Sequence, residues 1–80
     1  MNSNKLKKDL KKHFKLPKLN DDKDLISNNI LDSLSLVTLV FFIEKKLNLR
    51  CDLNKIDNVN FSSINNIVKF LKKQNKNKII

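Results

Sequence analysis

The sequence predicts an all-α fold, and three observations carry that prediction. Its 80 residues include no glycine and a single proline, Pro17, so the tight hairpins that join short strands would lack their usual turn residue. Apolar residues recur at helical spacing in three separate segments. A chain of this length forms one domain, 1–80, with one modest core, which closely packed helices fill best.

The first segment, SNKLKKDLKKHFKL, sets Leu6, Leu10 and Phe14 on one face of a lysine-coated helix. Ser3 is placed to cap its start and Pro17 to end it. A long connection follows over 17–31, with three aspartates and the apolar anchors Leu19, Leu25, Ile26 and Ile30. A connection of that length either has a function or packs its own side chains.

The second helix is expected from about Ser33 to Leu47. Leu36, Leu39, Val40, Ile43 and Leu47 fall on one arc and define its core face. The opposite arc collects Leu34, Val37, Thr38, Phe41, Glu44 and Lys45. An ordinary solvated face would not gather Leu, Val and Phe, so this arc is expected to meet a partner or a bound group.

Residues 48–61 hold Leu49, Cys51, Leu53, Ile56, Val59 and Phe61 among polar residues, which suggests a loop with one short helix. The last helix begins near Ser62 or Ser63, with Ile64, Ile67, Val68 and Leu71 at i, i+3, i+4 and i+7 and Phe70 alongside. A basic tail is expected to fray from about residue 73. The Lys/Asn/Ile bias points to AT-rich coding sequence.

The net charge of +9 is unevenly distributed. Residues 1–18 carry seven lysines and one aspartate, and residues 69–80 carry five lysines and no acid; the centre, 19–68, carries five basic and seven acidic residues. The ends are therefore basic, while the centre is mildly acidic. The lone cysteine, Cys51, excludes an internal disulfide and points to a reducing compartment. No apolar stretch follows the N-terminal lysines as a signal peptide would need, and the longest apolar run, Leu39 to Ile43, is far too short to span a bilayer. A soluble, cytoplasmic protein is expected.

Ser33 is the residue that carries the question of function. It stands in NNILDSLSLVTLV, where a polar segment meets the second helix. On residues alone, Asp32 or Ser33 reads as an N-cap that accepts a bond from an orphan N–H of the first turn. A capping box started by Ser33 would want Glu or Gln at 36, where Leu36 stands. With Asp32 as the cap, Ser33 becomes the first helical residue and its hydroxyl is free at the helix mouth. A phosphate ester there would feel the positive end of the helix dipole.

At these residues the chain resembles the phosphopantetheine-bearing carrier proteins, which include acyl, peptidyl and D-alanyl carriers. Their signature, Asp-Ser-Leu or Asp-Ser-Met at the start of the second helix, corresponds to Asp32-Ser33-Leu34. The resemblance extends over roughly residues 5–72. Leu25 lies eight residues before the serine, Ile30 and Leu31 precede the aspartate, Phe41 and Leu47 follow, and VNFSSINNIVKFL looks like the family's final helix and its lead-in. The resemblance implies an acyl-carrier-protein-like, up-and-down four-helix bundle with three main helices and a short one. It also implies that Ser33 binds 4′-phosphopantetheine, installed from coenzyme A by a phosphopantetheinyl transferase that uses Mg²⁺. Acyl or aminoacyl cargo would ride on the arm as a thioester, loaded and used by other enzymes, and the carrier itself would catalyse nothing. Asp32, Leu34, Val37, Thr38, Phe41 and Glu44 would form the partner-docking face. A glycine commonly precedes the motif in this family; here Asn29 is the residue able to take a left-handed turn in its place.

Other residues offer less. His13 and Cys51 are single, so neither zinc nor another metal has a ligand set. Cys51 reads as a small buried hydrophobe, and His13 as the solvent edge of the first helix. A Ser33–His13 dyad has no sequence context for an oxyanion hole. The rival reading is a small basic helical module that binds nucleic acid or an acidic partner without a prosthetic group. Its lysines, however, lie at the chain ends and not along one recognition helix. In the bundle that the resemblance implies, the first and last helices pack near each other, so the two basic ends are expected to form one patch, either a solvated surface that keeps the chain soluble or a site for an acidic partner or an anionic membrane surface.

Overall fold

A computed structural model describes residues 3–76 and is all-helical: three main helices, and no strand among the described residues. Helix α1 (Ser3–His13) buries Leu6 and Leu10. It packs on α3 (Ile64–Gln74), which buries Ile64, Ile67, Val68, Phe70 and Leu71. Helix α2 (Ser33–Phe41) adds Leu39 and Val40 to the same core. Phe61, at the lead-in to α3, tilts against Phe70 with ring centroids 5.3 Å apart. The first and last helices are thus neighbours.

Ser3 is the first described residue and lies within α1. The C-terminus of α1 closes by paired backbone bonds. Lys15 N–H donates to Lys12 C=O and Leu16 N–H to Lys11 C=O, each at 3.0 Å. Lys15 holds φ 60° in the position where such a motif usually places glycine. Pro17 then prevents the helix from resuming.

The long connection packs its own side chains. Leu19, Leu25 and Leu31 are buried, and Ile26 and Ile30 half-buried. Leu25 C=O accepts bonds from both Ile30 and Leu31 N–H, while its own N–H donates to Ser62 C=O at 2.8 Å. Asn29 takes φ 57°, the left-handed turn expected of it. Asp21 ties the loop to two helices. Its carboxylate pairs with Lys7 Nζ at 3.2 Å and with Lys11 Nζ, and its C=O accepts Asn65 N–H of α3 at 3.0 Å. The Lys11 and Lys7 ammoniums draw the Asp21 pKa below its ordinary value, against the opposing effect of burial.

The short helix expected between α2 and α3 is present as a single 3₁₀ turn, Leu53–Lys55, capped by the Asp52 side chain. Two sequence expectations need correction. The second helix does not run as one α-helix to Leu47: it ends at Phe41 and widens into a π-helical turn, Phe42–Lys46. The turn is closed by a bond from Leu47 N–H to Phe42 C=O at 3.2 Å, five residues apart. Phe42, at its start, lies nearly parallel to the His13 imidazole with centroids 4.6 Å apart. Second, the chain is still helical at 73. Helix α3 continues through Gln74, and Asn75 is buried with its side chain bonded to Arg50 N–H and C=O. The rest of the expected tail, 77–80, lies outside the described residues.

Candidate functional site

Asp32 has extended backbone (φ −120°, ψ −175°) and caps α2. Its Oδ1 accepts Ser35 N–H at 2.9 Å, and Ser35 Oγ in turn accepts Asp32 N–H at 2.8 Å. This is a reciprocal capping box with serine in the place of the usual Glu or Gln. The box starts at Asp32, so its third helical residue is Ser35, and Leu36 has no part in it. Two orphan donors of the first turn are satisfied without Ser33.

Ser33 is consequently the first residue of α2. It is exposed, and its hydroxyl has no hydrogen-bond partner among the described residues. The dyad with His13 does not form; the His13 ring packs on Phe14 and Phe42 instead, and partial burial lowers its pKa. The serine hydroxyl therefore stands free beside the N–H groups that carry the positive end of the helix dipole.

The bonds from Ser35, its backbone N–H first and its hydroxyl second, hold the Asp32 pKa below its ordinary value of 3.8. The stabilisation linked to that depressed pKa is complete above the ordinary value and is lost as pH falls through the folded one. Asp32→Ala should lower the melting temperature at neutral pH, and the deficit against wild type should shrink on acidification below the carboxylate range. Ser33→Ala should shift unfolding by no more than about 0.5 kcal/mol. Melts of both variants across pH check this; an equal loss from Ser33→Ala would mean that the serine shares the capping.

From Ser33 an apolar strip runs along the outside of α2. Leu34 is 78% exposed, Val37 54% and Phe41 60%, with Asp32, Thr38 and Glu44 also exposed. The opposite arc is inside: Leu39, Val40 and Ile43 are buried, and Leu36 and Leu47 half-buried. All six residues of the expected docking face are therefore at the surface: Leu34, Val37, Thr38 and Phe41 on the helix that Ser33 opens, Asp32 at its cap and Glu44 in the π-helical turn that follows. The strip borders an apolar groove of about 430 Å³, walled by Val37, Val40 and Phe41 on one side and by Leu53 and Ile56 on the other. Leu53 and Ile56 join α2 only through the fold. Their apolar character in a polar stretch was the one sequence signal, and Leu53 remains 70% exposed.

Cys51 is buried, and burial, then the nearby Glu44 and Asp52 carboxylates, push its thiol pKa up to about 11. It stays protonated at neutral pH and behaves as an apolar side chain. No helix among the described residues is long and apolar enough to cross a membrane. Compared with known proteins, the chain matches no family model and no curated protein sequence.

Proposed function

We propose that this protein is an acyl-carrier-protein-like carrier whose Ser33 binds 4′-phosphopantetheine, its helices and 3₁₀ turn corresponding to the up-and-down four-helix bundle of such carriers. The observation that carries the reading is the exposed, unpartnered hydroxyl of Ser33 at the first position of a helix capped by its neighbour. Asp32 fixes the first turn of α2 and leaves the serine oxygen accessible to a transferase that draws on coenzyme A. The N–H groups of that turn favour a phosphodiester over a neutral substituent at this position. When attached, the arm supplies a thiol that holds acyl or aminoacyl cargo as a thioester. Leu34, Val37 and Phe41 give the transferase and the cargo-handling enzymes an apolar contact, with Asp32, Thr38 and Glu44 as its polar rim. The chain presents cargo and performs no chemistry on it.

The test is intact mass after co-expression with a broad-specificity phosphopantetheinyl transferase. Wild type should gain one phosphopantetheinyl group, and Ser33→Ala none while remaining folded. A wild type left unmodified by several unrelated transferases would overturn the reading.

A further inference from the structure

We propose that the exposed face of α1, with the Leu16–Pro17 turn that ends it, is a peripheral docking surface for an anionic lipid bilayer. The lysines of α1 fall into two sets. Lys7 and Lys11 are turned to Asp21 and half-buried. Lys8, Lys12, Lys15 and Lys18 are exposed and make no ion pair among the described residues, whereas Lys5 pairs with Asp9 at 3.7 Å. Lys8, Lys12 and Lys15, spaced i, i+4 and i+7, line one shallow groove of about 580 Å³ with Pro17, and the Asp21 carboxylate that also lines it is already neutralised by Lys7 and Lys11. Between Lys15 and Lys18 stands an exposed apolar pair: Leu16 is 40% exposed and Pro17 is exposed. The left-handed Lys15 makes the turn that sets this pair outside the helix.

A cluster of ammonium groups around one apolar tip matches a negatively charged headgroup layer with a shallow hydrocarbon boundary beneath it. The buried side of α1 cannot reach the bilayer, because Leu6 and Leu10 are 1% and 0% exposed in the core. Attachment is therefore peripheral, electrostatic and reversible. Nucleic acid fits less well: the face has no arginine for bidentate contacts and no exposed aromatic ring for base stacking. A protein partner fits less well too, since lysine is depleted at the cores of such interfaces. The inference does not depend on Ser33 or on any prosthetic group.

The experiment is flotation of the full chain with vesicles of phosphatidylcholine alone and of phosphatidylcholine with phosphatidylglycerol at two parts to one. Binding is expected only to the anionic vesicles and should fall steeply as salt shortens the screening length. Each lysine near the surface contributes about a fivefold factor. Changing Lys8, Lys12, Lys15 and Lys18 together to Gln should then weaken binding at least about a hundredfold. Leu16→Ser should weaken it while leaving the salt dependence unchanged. The matching change at Lys69, Lys72, Lys73 and Lys76 should weaken binding far less. The proposal is overturned if anionic vesicles do not bind at low salt, or if the two quadruple variants lose binding equally. It is also overturned if duplex DNA or polyglutamate binds more tightly at equal charge concentration, with no response to Leu16→Ser.

Discussion

Ile43→Ala should lower the unfolding free energy by about 2–5 kcal/mol, whereas Phe41→Ala should change it by about 0.5 kcal/mol or less. The two residues are close in sequence and opposite in environment: Ile43 is fully buried, while Phe41 is 60% exposed on the groove rim. Removing Ile43 leaves a cavity among core side chains, and the surroundings relax only in part. Native stability for a chain of this size is about 4–12 kcal/mol, so the Ile43 variant would lose a large share of it. At about 4–8 °C per kcal/mol the melting temperature should fall by at least about 8 °C. Denaturant and thermal unfolding check both variants. A collapse of Phe41→Ala to the level of Ile43→Ala would show that the outer arc of α2 is core and would remove the docking face.

Asn75→Ala should cost about 1–3 kcal/mol, the loss expected when buried polar groups lose their partners. The Asn75 Oδ1 accepts Arg50 N–H at 2.6 Å; its Nδ2 donates to Arg50 C=O at 3.0 Å and to Leu71 C=O at 2.8 Å. One amide thus satisfies a carbonyl near the end of α3 and bolts that end to the segment after the π-helical turn. Lys76→Ala, at an exposed position, should stay within about 0.5 kcal/mol. Hydrogen exchange adds a local readout, because the Arg50 amide should lose protection in Asn75→Ala and keep it in Lys76→Ala. Retained protection in both would mean that Arg50 finds another acceptor.

The parts of this fold that were legible in the sequence are those that depend on apolar spacing. The arcs of α2 separate as the 100° rule requires, with Leu39, Val40 and Ile43 inside and Leu34, Val37 and Phe41 outside. The start of α3 near Ser63 and its buried face follow the same pattern, whereas the burial of Cys51 was legible from its residue type and not from spacing. What escaped depends on single hydrogen bonds or on distant partners. The π-helical turn has no signature in FIEKK, because it differs from an α-turn by one bond offset; its neighbour across the fold, His13, is far away in sequence. Asn75 looked like tail because its polar amide is satisfied by Arg50, 25 residues earlier. Around Ser33 the motif located the helix mouth, but the reciprocal bond from Ser35 was hidden because serine is an uncommon third member of a capping box.

The absence of glycine acts on the state that the folded structure does not depict. Lys15, Asn29 and Asn48 hold φ of 60°, 57° and 53° where glycine would sit without strain. Each carries a steric penalty in the native form, smallest for the two asparagines. Every backbone unit of the disordered chain, however, is hindered by a β-carbon, so the denatured ensemble has fewer conformations to surrender. A domain with only a modest core therefore starts from a stiffer, less entropic unfolded state. Its stability is set as much by what the open chain cannot do as by what the closed one gains.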